Sequence, residues 1–426
     1  MKISRILITA AFVASCSSAP LSLKMAESEI RRNPTAAELD GRGGELKWNY
    51  TTGLELKAFL DVAVAEAGQA EPFASLQPRP FLVGQRNKTS QKALPDPEAI
   101  AGYVEAWYDA IIAEDGSIGG KYRRSNYNVD HICPARTLFA LYDITGKEKY
   151  RAAMDSIYMQ ICGQPRSFVE LDGYEAGAFW HKKVYPNQQW LDGLYMALPF
   201  YAEYNLRYIR SQTERDVNFD DIANQFRIAY DHCYDPQTKL LRHAWDSSRK
   251  MFWCNPVTGQ SAHAWGRAMG WYLMALVDVL DFVPEEHPGR QHLLGILDSL
   301  LTVLPEYADK ATGMWYQVLD CPGREGNYVE STCSAMFTYA YLKAAQKGYA
   351  PQYKDYAREL YRNLVKTFIR EKRGTVSLTR CCAVAGLGGK DNRDGSFEYY
   401  ISEKICDNDP KGVGPFIWAS LLYENQ

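Results

Sequence analysis

Tyr234-Asp-Pro-Gln-Thr-Lys-Leu-Leu-Arg-His-Ala-Trp-Asp246 and Ala308-Asp-Lys-Ala-Thr-Gly-Met-Trp-Tyr-Gln-Val-Leu-Asp320 are two copies of one loop. Each sets an Asp ahead of a Thr-centred turn, then a short apolar run that reaches Trp or Tyr and closes on Asp. A related turn stands at Asp143-Ile-Thr-Gly146. Stretches of 3.6-residue periodicity flank these loops, so the repeating unit is a helical hairpin. A lone hairpin cannot bury its own apolar face and must stack on neighbours. Helical periodicity reads over Thr52–Ala67, Asp96–Ala113, Tyr127–Tyr142, Lys147–Ile161, Leu191–Arg210 and Phe219–Cys233. It continues over Ala262–Phe282, Arg290–Tyr307, Tyr328–Lys347, Gln352–Ile369 and Gly412–Asn425. Strand-like alternation is rare. Alternating hairpins with one long loop set per pair point to an all-α double ring, an (α/α)6 barrel, with the site at its mouth. An open helical solenoid fits less well, because arrays keep a strict period and polar end caps that this chain lacks.

The rest of the sequence sets bounds. A chain of 426 residues with 46% hydrophobic and 23% charged residues is globular. A net charge of -3 offers no basic field for nucleic acid or an anionic membrane, so an acidic ligand must be held by local cations. The N-terminus reads as a leader. Lys2 and Arg5 precede an apolar run from Ile6 to Val13, too short to span a bilayer, and Val13-Ala-Ser-Cys16 follows. Small residues before a cysteine resemble a bacterial lipobox, with Cys16 the lipidated residue. An ordinary cleavage near Ser15–Ala19 is the other reading. Either predicts export, as a periplasmic protein or an anchored lipoprotein. The expected organisation is a signal peptide at 1–15, a polar tether at 16–42 and a barrel at 43–426. Ser75–Leu94, rich in Pro, Gln and Lys, reads as a surface insertion. Ten cysteines without Cys-x-x-Cys spacing suit free thiols better than a disulfide or zinc framework, and no metal is expected.

Two stretches gather polar groups. In Phe179-Trp-His-Lys-Lys-Val-Tyr-Pro-Asn-Gln-Gln-Trp-Leu-Asp-Gly-Leu-Tyr-Met196, Asn187 reads as an N-cap with a helix from Gln188 onward. Asp192 then falls in the first turns, between Trp190 and Gly193, where a sugar ring has room to approach. An Asp there also simply favours the helix dipole. In His263-Ala-Trp-Gly-Arg-Ala-Met-Gly-Trp271, spacing places His263, Arg267 and Trp271 on one helix face. A cation beside indoles suits a sugar carboxylate. It equally suits an Arg paired to a neighbouring helix among core tryptophans. Asp391-Asn-Arg-Asp-Gly395 resembles a calcium loop, but Arg393 fills a ligand position, so it reads as a turn. Nucleotide-binding, serine-hydrolase and zinc-protease motifs are not found.

Several motifs in order resemble glycoside hydrolase family 105, the unsaturated rhamnogalacturonyl and glucuronyl hydrolases. They are Asn128-Val-Asp-His-Ile132, Trp190-Leu-Asp-Gly-Leu-Tyr-Met196, His243-Ala-Trp-Asp246, Trp265-Gly-Arg-Ala-Met-Gly-Trp271, Trp315-Tyr-Gln317 and Glu330-Ser331. Gly395-Ser-Phe-Glu-Tyr-Tyr400 and Asn408-Asp-Pro-Lys-Gly-Val-Gly-Pro415 follow. The resemblance implies a pocket for a 4,5-unsaturated uronic acid, with Asp192 as general acid/base and Asp130 as the second carboxylate. It places His243, Trp265, Arg267 and Trp271 around the pocket, then His181, Lys182 and Trp190, with Tyr50 a further lining residue. It calls for no metal or organic cofactor. Asp192 would have to carry a proton near neutral pH, favoured by Trp190 and Asp130 and opposed by the helix N-terminus and Arg267. The expected substrate is a lyase-generated acidic oligosaccharide, rhamnogalacturonan fragments first. The alternatives are glucuronyl fragments of ulvan, arabinogalactan or glycosaminoglycan, a non-catalytic glycan-binding lipoprotein, and a hydrolase of intact polysaccharide.

Overall fold

The computed structural model describes residues 19–41, 43–68 and 96–425. The leader, Cys16 and the Ser75–Leu94 insertion lie outside the described residues. Among the described residues the helices are, in order, α1 (Leu21–Arg32), α2 (Tyr50–Gly68), α3 (Pro97–Ile111), α4 (Arg136–Thr145) and α5 (Glu148–Cys162). The order continues with α6 (Leu191–Tyr208), α7 (Gln212–Cys233), α8 (Gly266–Val279), α9 (Pro288–Val303) and α10 (Ser331–Gln346). It closes with α11 (Lys354–Phe368), the short α12 (Phe397–Ser402) and α13 (Pro410–Glu424).

Burial sorts these helices into two rings. Every residue of α8 is buried, as a helix surrounded on all sides must be. In α11 the buried residues Ala357, Leu360, Tyr361, Leu364 and Phe368 make one stripe, as on a helix with a solvent face. Helices α2, α4, α6, α8, α10 and α13 follow one another around the inside, α13 closing against α2, with the turn at 133–135 carrying the step from α4 to α6. Helices α3, α5, α7, α9 and α11 each back an inner partner from outside, and α1 backs α13. This is the (α/α)6 barrel.

The structure corrects the sequence reading at the N-terminus. The segment read as a tether holds α1, whose Ser22, Leu23, Met25, Ala26, Glu27, Ser28 and Glu29 are buried. Polar residues hid it: α1 is pinned by side-chain bonds as much as by apolar contact. Its first turn has no side-chain cap of its own, and Glu424 of α13 supplies one, accepting from Leu21 N at 2.6 Å and Ser22 N at 3.2 Å.

Four two-stranded antiparallel ribbons are also present among the described residues, although strands were expected to be rare. Two matter for the site. Strands β1 (Arg166–Leu171) and β2 (Tyr174–Phe179) form a hairpin, and β3 (Gln188–Trp190) pairs with β4 (Ala244–Asp246), Trp190 opposite Ala244. Helix α6 therefore starts at Leu191, with Trp190 as its N-cap, and not at Gln188. The backbone of 188–190 is spent on pairing, which keeps it extended.

The two repeated loops are one structure. Asp235 accepts from Gln237 N and Thr238 Oγ1, and Asp309 accepts from Thr312 N and Thr312 Oγ1. Each turn then needs a left-handed residue, filled by Gly313 (φ 71°) in one copy and Lys239 (φ 58°) in the other. The nine cysteines among the described residues are all free thiols.

Candidate active site

The inner helices all start at the same end of the barrel. Tyr50 opens α2, Asp192 lies in the first turn of α6, and Trp265, Glu330 and Asp409 are the N-caps of α8, α10 and α13. Each helix N-terminus carries a fractional positive charge, so this end of the barrel favours anions. A 590 Å³ cavity opens there, in the size range of small-molecule sites.

Of the residues singled out in the sequence, Asp130, Asp192, His181, Lys182, Trp190 and Tyr50 line this cavity together. Asp130 sits on a tight turn whose preceding residue, Asn128, accepts its N–H at 3.1 Å. Lys182 Nζ lies 2.7 Å from one Asp130 oxygen and His181 Nε2 lies 3.3 Å from the other. Burial alone would raise this carboxyl, but the Lys182 and His181 charges more than offset it and hold Asp130 well below the usual carboxylate range. Asp130 is therefore a fixed anion. Asp192 differs: no lysine or arginine pairs with it among the described residues, and its neighbour is His243, Nε2 to Oδ2 at 3.1 Å. That contact is close but not aligned as a hydrogen bond in this state.

His243 is fully buried and is held from behind by Tyr400, whose hydroxyl is 2.8 Å from Nδ1. Burial pushes the Tyr400 phenol well up, so it keeps its proton. The His243 ring is thus held between Tyr400 at Nδ1 and Asp192 at Nε2. Trp190 stacks flat between His181 (4.8 Å) and Tyr185 (5.5 Å), forming an aromatic wall beside the two acids.

Four expected residues lie behind the wall rather than on it. His243, Trp265, Arg267 and Trp271 do not line the cavity. Arg267, read as the carboxylate contact, is buried, donates from Nη1 to Cys382 O at 2.5 Å and lies 4.6 Å over the Trp265 ring. The loop at 381–382, far off in sequence, covers it. His263 does not share a helix face with Arg267, because α8 begins at Gly266; it pairs with Asp320 at 3.0 Å instead. Gly193 does not clear a path for a sugar either: a Cβ there would stand 2.9 Å from His181 Nδ1, so its role is to admit the histidine.

Sequence reasoning missed the opposite wall. Residues 383–386, Arg393, Lys404, Cys406 and 407–411 form that side of the lining, and residues 39–41 and 47–51 add to it. Lys411 is neutralised by Asp409 at 2.7 Å. The density of glycine in Gly386-Leu-Gly-Gly389 was the available signal, since it marks a backbone held close to something. Outside the cavity, His263, Asp320 and Cys321 bring metal-ligand atoms together, but Asp320 is already occupied by Arg242 and by Ala264 N.

The family model for Glycosyl Hydrolase Family 88 matches residues 21–426. The chain belongs to that family. Among solved structures, this family 88 chain is similar to a family 105 glycoside hydrolase from C. acetobutylicum ATCC 824, with 40% identity and a TM-score of 0.81. The match covers 96% of this chain and 100% of that one. An unsaturated glucuronyl hydrolase specific for heparin shares the fold at 12% identity and a TM-score of 0.60, covering 95% of this chain and 96% of that one. Among curated proteins, the 24.9 kDa protein in picA locus of Rhizobium radiobacter is 36% identical over 235 residues, 53% of this chain and 96% of that protein. The family 88 chain is thus a glycoside hydrolase, an enzyme that acts on an oligosaccharide.

Proposed function

We propose that the chain removes a terminal 4,5-unsaturated uronic acid from lyase-generated rhamnogalacturonan fragments, by hydrating the C4=C5 bond. The observation that carries this reading is the difference between the two cavity carboxylates. Lys182 holds Asp130 as an anion, while Asp192 has only His243 as an ion-pair partner among the described residues.

An ordinary glycosidase needs two carboxylates flanking the anomeric carbon. A vinyl ether needs one acid. Asp192 gives its proton to C4, and the cation at C5 is stabilised by the ring oxygen and by the fixed charge of Asp130. Water bonds to C5 and returns a proton to Asp192. The resulting hemiketal opens, and the aglycone leaves from C1. Trp190 supplies an apolar face for the ring. The test follows the ultraviolet absorbance of the conjugated double bond. Wild-type protein consumes the unsaturated rhamnogalacturonan disaccharide, and Asp192→Asn is slower by ~10²–10⁴-fold, the usual share of general acid catalysis. Faster loss on glucuronyl fragments would move the substrate to that class, and no loss on any unsaturated fragment would discard the reading.

Export belongs to the same proposal. The Lys2–Cys16 leader supports a lipoprotein anchored through Cys16 and facing the periplasm. Mass spectrometry of the mature N-terminus tests the acyl group, and protease treatment of intact cells tests the location.

A further inference from the structure

The chain-wide charge of -3 hides a local surplus of the other sign. Between residues 354 and 373 stand seven cations against three acids. On α11, Lys354, Arg358, Arg362 and Lys366 recur at every fourth residue, so they form one row along the helix. The buried stripe of α11, from Ala357 to Phe368, takes the other side and leaves that row toward solvent. Like charges four residues apart repel along a helix. Asp355 and Glu359 stand three residues before Arg358 and Arg362, yet no salt bridge joins them among the described residues. An outside anion would relieve the repulsion.

The row runs into a hairpin of β5 (Ile369–Lys372) and β6 (Thr375–Leu378), on which Arg370, Lys372 and Arg373 are exposed. That hairpin lies along α1. Ser28 Oγ accepts from Val376 N at 2.8 Å, and Arg32 Nη2 donates to Ser377 Oγ at 2.8 Å. Lys24 of α1 pairs with Glu371 at 3.7 Å, which takes up one of the three acids. Helix α11, the hairpin and α1 therefore make one continuous basic side of the barrel. Cys16 stands five residues before Leu21, where α1 begins, and five extended residues reach about 17 Å. An anchor at Cys16 keeps this side close to whatever holds the anchor.

We propose that this side of the barrel is a docking face for an anionic phospholipid surface, with α11 and the β5–β6 hairpin over the headgroups. The acyl anchor rests on the export reading above; the row of charges does not. An acyl chain and a basic patch together attach a protein more firmly than either alone. Phospholipid is favoured over a dissolved polyanion because the cations lie on the side that the short tether draws down. Screening confines the attraction to about 8 Å, so the barrel has to lie on its side to gain it. The mouth then opens along the membrane and not into it.

Vesicle co-sedimentation tests the face, on protein that begins at Ser17 and so keeps every described residue. At low salt, wild type should bind vesicles rich in phosphatidylglycerol about tenfold more tightly than vesicles of phosphatidylcholine alone. High salt should remove the difference. Arg358→Gln, Arg362→Gln and Lys366→Gln together should bring the ratio to about one without lowering Tm. Arg249→Gln with Lys250→Gln, exposed cations beside α7, should leave the ratio as in wild type. A wild-type ratio near one, or a ratio that survives the triple substitution, overturns the proposal. Soluble polygalacturonate is the competing ligand. If it binds through the same three residues while anionic vesicles do not bind, the face belongs to acidic polysaccharide and the lipid proposal falls. If mass spectrometry finds no acyl group on Cys16, the anchoring reading fails, while the vesicle ratio still decides the face.

Discussion

At the residue scale the site turns on how one histidine is held. His243 touches Asp192 on one side and Tyr400 on the other, and the phenol holds the ring in place beside the acid. Tyr400→Phe should lower kcat about tenfold, the worth of one buried hydrogen bond, with KM little changed. The shape of the pH–kcat profile should also change, because the imidazole beside Asp192 is then no longer held by the phenol. A purely structural tyrosine would lower Tm and leave that profile alone. The residues that reach the cavity from short motifs were legible in the sequence: Asp130, His181, Lys182, Trp190 and Asp192 all line it. Arg267 was not, because helix periodicity gives the face of a residue and not the loop that closes over it. The strand at 381–382 lies 115 positions away and takes that face.

At the scale of elements, α1 docks through acids that folding makes reluctant to ionise. Burial pushes Glu29 up to about 7, with Arg32 opposing, and Glu55 on α2 is buried with both oxygens unpartnered and raised well above its ordinary value. Folding therefore takes up protons between the ordinary glutamate value and about 7, so stability falls as pH rises through that window and the full cost applies above it. Glu29→Gln removes the Glu29 share. It should melt higher than wild type at about pH 8 and lose that advantage at about pH 5, as scanning calorimetry would show. An advantage independent of pH would mean that Glu29 is not the titrating group. Long apolar helices such as α8 and α10 were legible because burial on all sides leaves nothing else in the pattern. The hairpins were missed although Asp172-Gly173 and Arg373-Gly374 both adopt consecutive left-handed residues, the turn that joins two strands. Helix α1 was missed because its buried face is half polar.

For the whole molecule, the barrel axis is filled and not open. Below the cavity, Trp271 packs on Tyr195, Arg136 lies over the Tyr195 ring, and Asp278 gathers Arg136, Lys343 and Tyr339 at 2.8, 2.7 and 2.6 Å. Burial works against the Asp278 charge, but Lys343 and Arg136 prevail and hold its carboxyl at about 2. Asp278→Asn leaves Arg136 without its anion and Lys343 with Asp281 alone, and should cost about 3–5 kcal/mol in urea unfolding. The ring itself is shut by its two ends. Glu424 caps α1 across 403 positions of sequence, and α1 and α13 lie side by side. A ribosome makes these partners at opposite times. Helix α1 emerges among the first elements and waits, with its buried acids in water, until α13 follows; every nascent intermediate in between is an unclosed arc that a protease or a chaperone can still grip.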